Sequence, residues 1–131
     1  MSSIKARKGN PFEYNVAYSI MQNKNMSVKR IDDNTSGVDL IAENKVSKET
    51  FYIECKFHKG FSWNKLEKIF TKTKEKTKDK ATPLLIFKAN RQPVCVMYSG
   101  YLSNICTVIK FEDFWDVPFL KRPKGVKIWG K

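Results

Sequence analysis

Apolar positions recur at two different periods along this chain, and the changes of period mark its elements. Phe12, Val16 and Ile20 stand four apart, with Ala17 and Met21 beside them, which is the one-face spacing of a helix. Asn10 is suited to an N-cap and Pro11 to the first helical position, so a helix of about 15 residues is expected there, ending near Gln22 to Asn25. "MSVKRI" (26–31) reads as a strand, and "DDNTSG" after it as a polar turn.

The period then falls to two. "VDLIAEN" and "TFYIECKF" are strands joined by "KVSKE", a connection short enough for a hairpin. With the turn centred on Val46 and Ser47, Leu40 faces Ile53, Ala42 faces Phe51 and Val38 faces Cys55 on one wholly apolar side. On the other side Asp39 falls directly opposite Glu54, with Lys56 one step further along the same face. Three ionisable groups therefore converge on an otherwise apolar ribbon.

From 61 to 79 the helical period returns. Trp63, Leu66, Ile69 and Phe70 form its apolar stripe, and lysines at 65, 68, 72, 74, 76, 78 and 80 cover the rest. "TPLLIFKAN" is continuously apolar, as in a strand buried on both faces after a helical crossover, and "PVCVMYSG" is a further strand behind the turn "NRQP". A weaker region follows in which "FEDFWDVPFL" holds room for one short helix, and then a basic tail over 119–131 that includes Trp129. The order helix, three strands, helix, two strands predicts a single α/β domain over 1–131, with its core in about 5–100 and a mixed central sheet flanked by helices.

Charge sharpens this picture. Twenty-five Lys and Arg against 13 Asp and Glu give a net +12 in 131 residues, a footprint suited to a polyanion, nucleic acid first. No stretch approaches the roughly 18 consecutive apolar residues of a membrane span. "MSSIKARKGNPF" has basic residues but no apolar run after them, so a cytoplasmic, DNA-associated protein is expected, with no membrane partner and no small-molecule cofactor. Cys55, Cys95 and Cys106 are odd in number and lack a CxxC pair, which argues against a disulfide framework or a zinc site. Cys55 and Cys95 read as small hydrophobes, and with one histidine, His58, no triad is visible.

Two carboxylates placed across a strand pair repel unless something neutralises them. Mg²⁺ suits the role, because this hard cation takes one or two carboxylates together with waters and phosphate oxygens. A lysine beside it can orient or activate the attacking water or stabilise developing charge. The reaction class these residues suggest is phosphodiester hydrolysis. Asp39 and Glu54 would hold one or two Mg²⁺, which Mn²⁺ can replace, with the Cys55 carbonyl as a further ligand.

"GVDLIAENKVSKETFYIECK" resembles the D…ExK signature of the PD-(D/E)xK nuclease superfamily, with Asp39, Glu54 and Lys56 at its positions and Val38 where a proline often stands. Within that superfamily the chain is most similar to archaeal-type Holliday junction resolvases, a family also found in viruses. "RKGNPFE" (7–13) and Arg30 carry that likeness, which spans roughly residues 5 to 90. It implies a restriction-endonuclease-like fold, Glu13 joining the metal site or orienting a water, and Arg7, Lys8 and Arg30 holding backbone phosphates. It further implies a homodimer that nicks opposite strands of a four-way DNA junction with Mg²⁺, leaving ends that can be religated.

Plainer readings stand beside these. Glu13 with Asn10 as N-cap sits where a glutamate closes a capping box. Glu43, nearer the turn, reads as solvated. His58 and Lys59 follow the ExK strand and are either DNA contacts or plain surface. Lys65, Lys68 and Lys72 are a DNA-facing surface or the wet side of a helix; Phe61, Trp63 and Phe70 read as core or dimer interface. A nicking, repair or restriction-like nuclease on duplex or flap DNA, and a non-catalytic nucleic-acid-binding module, are the competing functions.

Overall fold

The structure is a computed structural model and describes residues 9–31, 38–78, 81–99 and 106–115, with side chains given from residue 11 onward. Its elements are α1 (Gly9–Met21), β1 (Met26–Arg30), β2 (Leu40–Asn44), β3 (Thr50–His58), α2 (Trp63–Thr77), β4 (Thr82–Ala89), β5 (Cys95–Ser99), β6 (Cys106–Lys110) and α3 (Phe111–Phe114). The six strands form one sheet in the order β1-β2-β3-β4-β5-β6. Only β3 and β4 run parallel, joined by the crossover helix α2, and every other neighbouring pair is antiparallel. This is the expected α/β domain with a mixed sheet, extended by β6.

The hairpin register is the expected one: Leu40 pairs with Ile53 and Ala42 with Phe51. Asn44 sets the turn, its side-chain oxygen accepting the N–H groups of Val46 and Ser47 at 2.9 and 3.0 Å while Lys48 takes a left-handed φ of 70°, the short-side-chain turn chemistry typical of asparagine.

Each sheet face has its own core. On one, Phe12, Val16 and Ile20 of α1 pack with Leu40, Ala42, Phe51, Ile53, Leu84, Ile86, Val96 and Phe114. On the other, Leu66 and Phe70 of α2 pack with Leu85, Phe87 and Met97. β4 feeds both, which explains why "LLIF" is apolar without alternation: Leu84 through Phe87 are all buried. Ser62 caps α2 by accepting the Lys65 N–H at 3.1 Å.

Two boundaries differ from the sequence expectation. α1 includes Gly9 and Asn10, so Asn10 lies inside the helix and Glu13 stands beyond the capping-box position. β2 begins at Leu40 rather than Val38, and that early end builds the site.

Candidate active site at the open edge of β3

β3 is nine residues long and β2 five. The β2 ladder ends at Leu40 opposite Ile53, whereas the β4 ladder continues to His58 opposite Ala89. Beyond Ile53, therefore, one backbone edge of β3 has no strand beside it among the described residues, and Asp39 fills the first place on it. The Asp39 N–H donates to the Ile53 carbonyl at 2.9 Å, its carbonyl accepts the Ile31 N–H at 2.9 Å, and its carboxylate Oδ2 accepts the Cys55 N–H at 2.8 Å. The continuous pairing expected through Val38 and Asp39 is thus corrected. Asp39 and Leu40 share Ile53 in the manner of a bulge, because a carboxylate is a stronger acceptor for the Cys55 amide than a strand carbonyl, and the slip spares two acids from direct opposition.

Around this anchor stand the other expected groups. Glu54 and Lys56 project from β3 toward the α2 face, with the Lys56 ammonium 3.3 Å from Glu54 Oε2 and the Glu54 side chain only 14% exposed. Glu13 reaches in from α1, its Oε1 3.4 Å from Arg30 Nη2. Burial, then the charge of Asp39, push both Glu13 and Glu54 above the usual carboxylate range; Arg30 opposes this at Glu13, and Lys56 and Lys76 oppose it at Glu54. The Cys55 thiol is pushed well above its ordinary value by burial first and then by Asp39, Glu13 and Glu54, so it is a neutral core group and no nucleophile. In a strand the N–H and C=O of one residue point to the same edge, so the Cys55 carbonyl faces the Asp39 side.

The carboxylates form two like-charged pairs that share Asp39, and among the described residues no three His, Cys, Asp or Glu groups close into a metal cage. The donor chemistry nonetheless fits a hard divalent ion of the Mg²⁺ kind, which is commonly held by one or two carboxylates and completed by waters and substrate oxygens. The raised Glu13 and Glu54 accord with that fit, since burial and the nearby Asp39 charge make each costly to ionise even beside Arg30 and Lys56.

The sign of their pH effect follows. Both carboxyls bind protons more tightly folded than unfolded, so their contribution to stability is fully present below the ordinary carboxylate pKa and is lost as pH rises through the raised values. Glu54→Gln is therefore expected to raise the neutral-pH melting temperature and flatten its decline with pH above the acid range, as measured by thermal unfolding at several pH values. An unchanged or lowered neutral-pH melting temperature would contradict the raised carboxyl.

The candidate DNA contacts lie around this cluster. His58, edge-on to Phe61 at 4.8 Å, and Lys59 are exposed at the end of β3. Lys65, Lys68 and Lys72 are exposed on α2. At 100° per residue, Lys65 and Lys72 share a flank of α2 with Lys76, whose charge acts on Glu54. Lys76 was legible only as one lysine of a run, though its four-residue step from Lys72 marks it. Arg30 is committed to its neighbours: besides Glu13, it donates through Nη1 to the Tyr14 hydroxyl at 3.2 Å and lies over the Tyr14 ring at 4.5 Å. No sequence signal pointed to Tyr14. Glu43 is exposed, as expected. Arg7, Lys8 and the basic tail lie outside the described residues.

No protein-family model and no curated protein matches the sequence. Among solved structures the chain is similar to the Holliday junction resolvase Hjc of Archaeoglobus fulgidus, with a TM-score of 0.49 and 14% identity over 78% of this chain and 86% of that one. An overlap at this level assigns neither family nor chemistry, which have to come from the residues themselves.

Proposed function

We propose that this chain is a Mg²⁺-dependent structure-specific DNA endonuclease, a resolvase that nicks four-way junctions as a homodimer. The observation that carries the nuclease reading is the carboxylate of Asp39 fixed on the Cys55 amide, with Glu54 and Lys56 on one side and Glu13 on the other. Asp39, Glu54, Glu13 and the Cys55 carbonyl are the groups that would hold Mg²⁺ or Mn²⁺. Bound there, such an ion supplies charge neutralisation for the scissile phosphate and a more acidic water.

The chain's own residues do the remaining work. Asp39 is held by two backbone hydrogen bonds and one from the Cys55 N–H to its carboxylate, the preorganisation that in-line attack of water on a phosphodiester requires. Lys56, 37% exposed at its side chain, presents its ammonium where it can orient that water or meet charge developing on the phosphate. Lys65, Lys72 and Lys76 line the approach on α2, and the net +12 draws the polyanion in. The four-way junction as substrate and the homodimer rest on the resemblance of "RKGNPFE", Arg30 and the D…ExK residues to archaeal-type resolvases.

The deciding experiment compares a four-way junction with a linear duplex of the same sequence, with and without Mg²⁺. Paired nicks in the junction that require the metal, with little cutting of the duplex, are expected. Equal cutting of both would leave a general duplex or flap nuclease, and no cutting of either with Mg²⁺ or Mn²⁺ would leave a binding module.

A further inference from the structure

α1 carries a second aromatic stripe that the core does not use. Phe12, Val16 and Ile20 are buried, yet Tyr14, Tyr18 and Met21, spaced i, i+4, i+7 on another side of the helix, are 55%, 65% and 46% exposed. An amphipathic surface helix ordinarily gives its outer face to charged and polar groups. Here that stripe, with Val28 and Arg30 of β1, walls a groove of about 430 Å³. Arg30 belongs to both places, since one guanidinium nitrogen holds the Tyr14 hydroxyl and another holds Glu13 of the acid cluster.

We infer that this groove is a nucleobase-binding site: an unpaired or splayed base beside the scissile phosphate stacks on Tyr18, next to the Tyr14 ring that Arg30 already covers on one face. Several features favour a base over a protein segment. Base-on-aromatic stacking needs an exposed ring and tolerates any sequence, and Tyr18 is 65% exposed. The groove's aliphatic lining is Ala17, Met21 and Val28, set among two phenols, the Asn15 side chain and a guanidinium, which suits an occupant with a flat apolar face and polar edges, as a base has. Arg30 also links the groove to the acid cluster through its ion pair with Glu13, and the chain's net +12 favours a polynucleotide as the occupant. The location beside a scissile phosphate rests on the nuclease reading; the binding itself does not.

The test uses the full chain without divalent metal and labelled oligothymidylate, a four-way junction and a linear duplex, with affinities read by fluorescence anisotropy across a salt series. Tyr18→Ala is expected to weaken oligothymidylate and junction binding about tenfold, to leave duplex binding within about twofold, and to leave the salt slope unchanged, because stacking releases no counterions. Tyr18→Phe should bind like wild type, and the melting temperature of both variants should match it, as Tyr18 is exposed. The inference is overturned if Tyr18→Ala binds all three DNAs as wild type does, loses affinity for the duplex equally, lowers the salt slope, or turns a sedimenting dimer into a monomer. Failure of wild type to bind any of the three DNAs overturns it as well. A wild type that stacks through Tyr18 but never cuts sinks the nuclease reading alone, and one that cuts while Tyr18→Ala binds normally sinks this inference alone.

Discussion

Asp39→Asn is expected to lower metal-dependent junction cleavage about a thousandfold, within the range for removing a positioned ionisable group, while the protein stays folded and still binds DNA. The two halves of this expectation have separate causes. An asparagine oxygen can still accept the Cys55 N–H that Oδ2 accepts now at 2.8 Å, so the slip at the end of β2 survives. What disappears is the negative charge shared between Glu13 and Glu54, and with it the attraction for a divalent ion. Single-turnover cleavage of a junction, beside binding of the same junction without metal, checks both halves. Mg²⁺ should also raise the melting temperature of wild type and not of the variant, since a ligand that binds only the folded state stabilises it. Cleavage within about threefold of wild type would remove Asp39 from the chemistry, far outside the loss that such groups show.

The second large effect is on stability and lies across the sheet from Glu54. Phe114→Ala is expected to cost about 3–5 kcal/mol, a sizeable part of the 5–15 kcal/mol typical of a domain. Phe114 is fully buried and meets Phe51 at 6.3 Å, Tyr98 at 5.3 Å and Trp115 at 4.6 Å between ring centroids, all edge-on. α3 has four residues and no side-chain cap, too short to persist without this anchor. Urea unfolding measures the loss as a lower midpoint with an unchanged slope. Below that midpoint, cleavage by the variant should survive, because Asp39, Glu54 and Lys56 lie on β3 and at its β2 edge rather than on β5 or β6. A midpoint shift worth under about 1 kcal/mol would mean the aromatic cluster repacks around the gap.

Where the sequence was read correctly, one local rule and the tertiary fold agreed. The hairpin is the best case: alternation fixed which side of "VDLIAEN" and "TFYIECKF" is apolar, a one-residue slip of β3 would have buried Glu54 and Lys56 on the side of Leu40 and Ala42, and so from Leu40 to Glu43 the register on paper is the register in the sheet. β4 was equally legible, because only a strand covered on both faces is apolar at four successive positions. β6 was missed. "CTVIK" sits at the sheet's far edge with its first four residues only half-buried, and such a strand leaves little alternation to detect. The acids were legible as residue types at a spacing, but the mode by which Asp39 reaches the cluster was not. Alternation places a side chain on a face; it does not reveal that a carboxylate will displace a strand carbonyl at Cys55. The Arg30–Tyr14–Glu13 arrangement joins β1 to α1 across 16 and 17 positions of sequence, beyond the reach of any local pattern.

The unequal lengths of β2 and β3 carry one more consequence, for how copies of this protein meet. A strand edge with open N–H groups invites the strand of another molecule to complete the sheet, and among the described residues β3 past Ile53 has such an edge. By occupying the Cys55 amide, the Asp39 carboxylate places a negative charge where an incoming strand would need to present a carbonyl. The side chain proposed for the chemistry would thus also guard this edge against runaway self-association, which gives position 39 a reason to keep an acceptor whether or not the chain cleaves.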